Sequence, residues 1–180
     1  MPIDFLNSPC TKSVGNCKIA SITCKSTTTN LTFGLCDKTP PPTLPAYIDT
    51  VNTTDWIAEI KNNSGKTIFF KAIDACVEIY KANGDPESRC DGVLIDGNKL
   101  TFVELKDRAS TGWLSKGRKQ LTITIQNFLL NDTNASNYNM TEAYVCNKQR
   151  PLTVTNISTE VQQFKNDTGL ILKVNRSINL

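Results

Sequence analysis

The sequence predicts an α+β, or mixed α/β, fold. A small antiparallel β unit over residues 1–71 precedes an α/β core over 72–180, where helices flank a central mixed sheet. Three observations predict it. Short apolar runs bounded by turn-forming residues fill the first part. Helical periodicity starts at Ala72 and returns later. Between the periodic segments lies CDGVLIDGNKLTFVELKDR, Cys90 to Arg108, which reads as two strands folded about a turn.

Taken in order, Lys18–Lys25 and Leu31–Cys36 look like strands joined by the Ser/Thr/Asn run at 26–30. Prolines at 40, 41, 42 and 45 make the next segment extended loop, because proline fixes φ and donates no hydrogen bond. Trp56–Lys61 and Thr67–Phe70 flank Asn62-Asn63-Ser64-Gly65, a second hairpin signal. From Ala72, Ile73, Cys76, Val77 and Tyr80 recur at helical spacing, and Gly84 and Pro86 end the pattern. The Cys90–Arg108 hairpin follows. Trp113–Asn131 carries both a strand-like alternation at 121–125 and a helical stripe of Leu114, Leu121, Ile125 and Phe128. It is long for a strand, so helix is the reading. Ala143–Cys146 reads as a strand, Ser158–Asn166 as a helix and Leu170–Val174 as a final strand.

Composition bounds the chemistry. There is no histidine, which excludes a Ser-His-Asp triad, a Cys-His pair and a His-ligated metal. Hydrolysis would have to rest on carboxylates, lysine and a hard metal, or on thiols. Seven cysteines include no CxxC pair. Reduced thiols buried as small apolar groups are expected, with convergence of Cys10, Cys17, Cys24 and Cys36 on zinc as the alternative. No window approaches the roughly 18 apolar residues of a membrane span, and MPIDFLNSPC has neither a basic n-region nor an apolar h-region. A cytoplasmic location without membrane contact is therefore the expectation, although a chain already relieved of its signal would look the same. The net charge of +3 is small, but residues 99–119 hold six cations against two anions. Such a field attracts phosphate, unless it is simply a solvated face.

The hairpin's charges raise the central question. With the turn at Gly97-Asn98, Ile95 faces Leu100, Val93 faces Phe102 and Asp91 faces Glu104. Both strand faces are apolar, so these are central strands covered on both sides. Two directly opposed carboxylates repel, and burial worsens the repulsion. Lys106 lies on the same face, two residues from Glu104, and can offset one charge. The other invites a cation, and oxygen ligands suit Mg²⁺ or Mn²⁺. The bland alternative is a buried ion cluster, which stabilises weakly.

Asp91, a gap of twelve residues, then Glu104-Leu105-Lys106 at the end of a hairpin strand resembles the PD-(D/E)XK nuclease superfamily. A helix before, and a helix then a strand after, add to the likeness, which covers Ala72 to about Asn147. The resemblance implies a restriction-endonuclease-like core. It implies that Asp91, Glu104 and the Leu105 carbonyl ligate the metal, and that Lys106 orients or deprotonates the attacking water. Gln120 matches a glutamine often found beside the lysine. Glu78 matches an acid that many members carry on the preceding helix, with Asp74 as a substitute one turn earlier; Glu78 could equally pair with Lys81. Cys90 stands where the motif has proline. The family's strand before the Asp strand must be very short here, within Gly84–Arg89, or come from the N-terminal part.

The function implied is Mg²⁺- or Mn²⁺-dependent hydrolysis of DNA, with RNA left open. Lys116, Arg118 and Lys119 would contact phosphates from the start of the following helix. The competing readings are a non-cleaving module that binds nucleic acid or protein on the same scaffold, and an immunity or regulatory partner. A dimer is allowed but not implied.

Overall fold

The computed structural model describes residues 3–6, 24–37, 44–109, 111–149 and 157–180. The fold is α+β, with two sheets and two α-helices. In chain order the strands are β1 (Lys25–Thr28), β2 (Thr32–Cys36), β3 (Tyr47–Asp49), β4 (Ala58–Lys61), β5 (Ile68–Ala72), β6 (Gly92–Asp96) and β7 (Lys99–Lys106). Helix α1 (Trp113–Asn131), β8 (Glu142–Asn147), helix α2 (Ile157–Thr168), β9 (Ile171–Val174) and β10 (Ser177–Asn179) complete it.

The larger sheet has six strands in the order β1-β5-β6-β7-β8-β9, and the smaller has four in the order β10-β4-β2-β3. In the larger sheet β1, β5, β6 and β7 pair antiparallel, whereas β7, β8 and β9 pair parallel. Parallel neighbours need a crossover, and α1 and α2 supply the two. Helix α1 lies on β7 and β8, α2 lies on β9, and the helices touch each other.

The hairpin has the expected register. Val93 pairs with Phe102 and Ile95 with Leu100, and Gly97 takes the left-handed φ of 58° that the tight turn needs. Both faces are buried, as the apolar runs require. Helix α1 forms over the expected range because Leu121, Ile125 and Phe128 all point into the core. The strands and helix read after it are present, and β10 is an addition.

Three expectations fail. The helix from Ala72 does not form. Ile73, Cys76 and Val77 are buried, but within a turn in which Ala75 has φ 63°. The Asp74 carboxylate accepts the Ala75 N–H at 3.0 Å, a local bond that competes with helix. Cys76 is bonded to Cys24, which fastens the turn to the start of β1. That disulfide also corrects the reduced-thiol reading and removes Cys24 from a four-cysteine zinc site. Cys36, Cys90 and Cys146 are buried thiols outside this disulfide, while Cys10 and Cys17 lie outside the described residues.

The two N-terminal hairpins also fail. Strand β1 meets the expected strand only at Lys25 and otherwise runs through the expected connection, and β1 and β2 enter different sheets, as do β4 and β5. The loop between β4 and β5 crosses from sheet to sheet around buried Asn62, whose amide donates to the carbonyls of Lys66 at 2.8 Å and Asn30 at 3.3 Å. Most of the expected strand from Lys18, and the proline run through Thr43, lie outside the described residues. The sheets do not divide at residue 72: β1 and β5 belong to the larger sheet, and C-terminal β10 belongs to the smaller one. Strand β5 is the neighbour of β6, so an N-terminal strand flanks the Asp91 strand.

Candidate functional site

The site lies where the β6–β7 hairpin meets α1. Asp91 immediately precedes β6 and Glu104 sits in β7. Both are buried, Glu104 completely. Asp91 Oδ2 accepts the Leu105 N–H at 2.5 Å, so Asp91 grips the strand that carries Glu104. The Lys106 ammonium contacts Glu104 Oε1 directly and donates to Gln120 Oε1 at 2.9 Å. The other oxygen of Glu104, Oε2, is buried with no hydrogen-bond partner. An unpaired buried carboxylate oxygen is costly in a folded chain.

Helix α1 holds this arrangement in place. Gln120 Nε2 donates to the Arg89 carbonyl at 2.8 Å, and Thr124 Oγ1 accepts the Cys90 N–H at 2.8 Å. These two side chains, one helical turn apart, fix the chain that delivers Asp91. Gly117 lets the helix approach closely: a Cβ there would meet Val145 at 3.0 Å and Glu104 Cγ at 3.2 Å.

The acids open into a cavity of about 170 Å³. Asp91, Glu104, Lys106 and Gln120 line it, and so do Asp37 and Asp74. Asp74 is held by Arg89, with Nε and Nη2 each 3.2 Å from its carboxylate. Asp37 leaves β2 of the smaller sheet, half-buried, and among the described residues it makes no hydrogen bond or ion pair. Lys116 and Arg108 line this cavity and also a smaller neighbouring one of about 70 Å³ beneath Gly112 and Trp113. The buried Asn147 pins Arg108, donating to its carbonyl at 2.9 Å and accepting its N–H at 3.4 Å.

The electrostatics follow from burial. Desolvation pushes Glu104 up to about 7, against the opposing pull of the Lys106 ammonium. Asp91 is raised well above the usual carboxylate range, first by burial and then by the charges of Glu104 and Asp37. Asp37 is raised by burial and by Asp74. Without a cation, the cluster resists full ionisation.

Asp91, Glu104, Leu105, Lys106 and Gln120 all line this one cavity. Glu78 is not among the cavity's residues, and the helix meant to carry it is absent; Asp74, its substitute, does line the cavity. Of the three expected phosphate contacts, only Lys116 does so. Lys119 is exposed elsewhere on α1. Arg118 is nearly buried against α2, with Nε 2.5 Å from Glu160 and Nη1 3.4 Å from Asp167. Asp37, Thr124 and Arg89 were missed. Their roles depend on packing between distant segments, and no local pattern signals them.

The Asp91 and Glu104 carboxylates and the Leu105 carbonyl are all oxygen donors, the kind that suits a hard divalent cation. The unpartnered Glu104 Oε2 fits such an ion. Among the described residues, however, no three Asp, Glu, Cys or His side chains are grouped closely enough to enclose one. Comparison with protein-family models, with curated proteins and with solved structures finds no match for the chain.

Proposed function

We propose that the protein is a metal-dependent nuclease that hydrolyses phosphodiester bonds of DNA, built on a restriction-endonuclease-like core. One observation carries the reading. Glu104 is fully buried, its Oε2 is unpaired, and it faces Asp91 beside Lys106 and Gln120 in an open cavity. A purely structural ion cluster would satisfy that oxygen. The helix and then strand that follow the hairpin also support the reading, while the helix expected before it is absent.

Asp91 and Glu104, with the Leu105 carbonyl, would hold Mg²⁺ or Mn²⁺, which supplies Lewis acidity, lowering the pKa of a bound water and screening the phosphate. Lys106 donates to phosphate oxygens as charge develops on them. Gln120 keeps the ammonium in place by accepting a hydrogen bond from it. Lys116 and Arg108 draw the polyanion to the cavity mouth. The test is incubation of the purified protein with plasmid, linear and single-stranded DNA, each with EDTA, Mg²⁺ or Mn²⁺. Cleavage confined to the metal-containing reactions supports the proposal, and no cleavage in any of them refutes it.

A second reading has its own observation. Lys106 already contacts Glu104, so one acid has a cation without any metal. That favours a non-cleaving scaffold which binds nucleic acid or protein, or an immunity partner that uses the acids for recognition.

Among the described residues no helix is long and apolar enough to cross a membrane. The cytoplasmic expectation sits poorly with the Cys24–Cys76 bond, because disulfides persist mainly in oxidising compartments.

A further inference from the structure

The cavity's acids come from three separate segments. Asp91 and Glu104 belong to the hairpin, with Asp107 just past its end, Asp74 to the turn after β5, and Asp37 to the end of β2 in the smaller sheet. They surround a volume of about 170 Å³. That is room for several waters. No three of the described acids are grouped closely enough to close on a bare ion. Yet the unpartnered oxygen of fully buried Glu104 calls for a cation. Mg²⁺ loses its waters reluctantly and commonly keeps several when bound by one or two carboxylates.

Resting on the metal-site reading above, we propose that the cation binds with most of its water shell, held directly only at the Asp91–Glu104 end. Asp37 takes hydrogen bonds from the bound waters across the cavity. Asp37 is then a positioning residue, and the smaller sheet is part of the site. Its half-buried carboxylate suits the role: among the described residues it makes no hydrogen bond or ion pair, feeling Lys106 only through its charge, and it lines the same cavity. Losing an outer partner of this kind typically costs about 10–100-fold in metal affinity.

The test needs no substrate. Mn²⁺ binding to the full chain is titrated by electron paramagnetic resonance. Cobalt(III) hexaammine, which keeps its six ammonia ligands and can bind only through their N–H groups, is added as competitor. Wild type should bind Mn²⁺, and the cobalt complex should compete more weakly than Mg²⁺ because it cannot be ligated directly by Asp91 or Glu104. Asp37→Asn should weaken both ions by about 10-fold or more, Asp37→Glu should recover much of the loss, and Glu78→Gln should change neither. Thermal unfolding of each variant checks that it is folded. If wild type binds Mn²⁺ and Asp37→Asn binds it as tightly as wild type, the hydrated-ion inference is wrong while the metal site stands. If wild type binds neither ion, the metal-site reading itself falls and this inference with it.

Discussion

Replacing Glu104 by glutamine should flatten the dependence of stability on pH. Glu104 is fully buried, and desolvation raises it from 4.5 to about 7 in the folded chain. Between those two values the folded protein keeps a proton that the unfolded chain has released. Stability must therefore fall as pH rises from about 4.5 to about 7, by on the order of 1 kcal/mol per pH unit, and this contribution is flat outside that window. Glutamine keeps the size and cannot titrate. It also removes the charge that helps to raise Asp91, so the variant's slope shrinks further. For a chain of this size, 1 kcal/mol shifts Tm by about 2–4 °C. Scans in EDTA at half-unit steps should show wild type losing that much per pH unit relative to Glu104→Gln. Parallel curves for the two proteins would refute the reasoning, because Glu104 would then be ionised throughout and its burial would be compensated in some other way.

Other outcomes follow from the same geometry. Gly117→Ala gains helix propensity of up to about 1 kcal/mol but presses on Val145 and Glu104. Its Tm should move little while Mn²⁺ affinity, read by titration, falls several-fold. Replacing Lys116 and Arg108 together by alanine should reduce the log–log salt slope of DNA binding by up to about 2. Arg118→Ala should leave that slope unchanged and lower Tm, since Arg118 joins α1 to α2.

The hairpin register was legible because Gly97-Asn98 supplies a tight turn and the side chains alternate with a period of two. With that register, the opposition of Asp91 and Glu104 was legible too. Helix α1 was legible from the stripe of Leu121, Ile125 and Phe128. The same kind of stripe misled at Ile73, Cys76 and Val77. Those residues are buried as expected, but a disulfide to Cys24 and the Asp74 side chain hold them as a turn. The N-terminal hairpins misled because a turn signal reports a change of direction, not which strand is paired next. Asn62 redirects the chain between sheets, and β5 pairs with β1 and β6 rather than with β4. Asp37 was illegible because it reaches the site only through the packing of one sheet against the other. The disulfide joins residues 52 apart in sequence, and no spacing pattern announces it.

The most direct measurement of the central claim compares wild type with Lys106→Met in one Mg²⁺- or Mn²⁺-containing reaction, with DNA binding followed in parallel. Methionine keeps much of the apolar stem and removes the ammonium that touches Glu104 and Gln120. Wild type should cleave. The variant should fold and bind DNA but cleave about 10²-fold more slowly or worse, as expected when a group that acts in the transition state is lost. The contradicting result is a wild type that cleaves no DNA or RNA with either metal, together with a Lys106→Met variant that binds a nucleic-acid or protein partner more weakly. The acids and the lysine would then be a recognition surface and not a hydrolytic site.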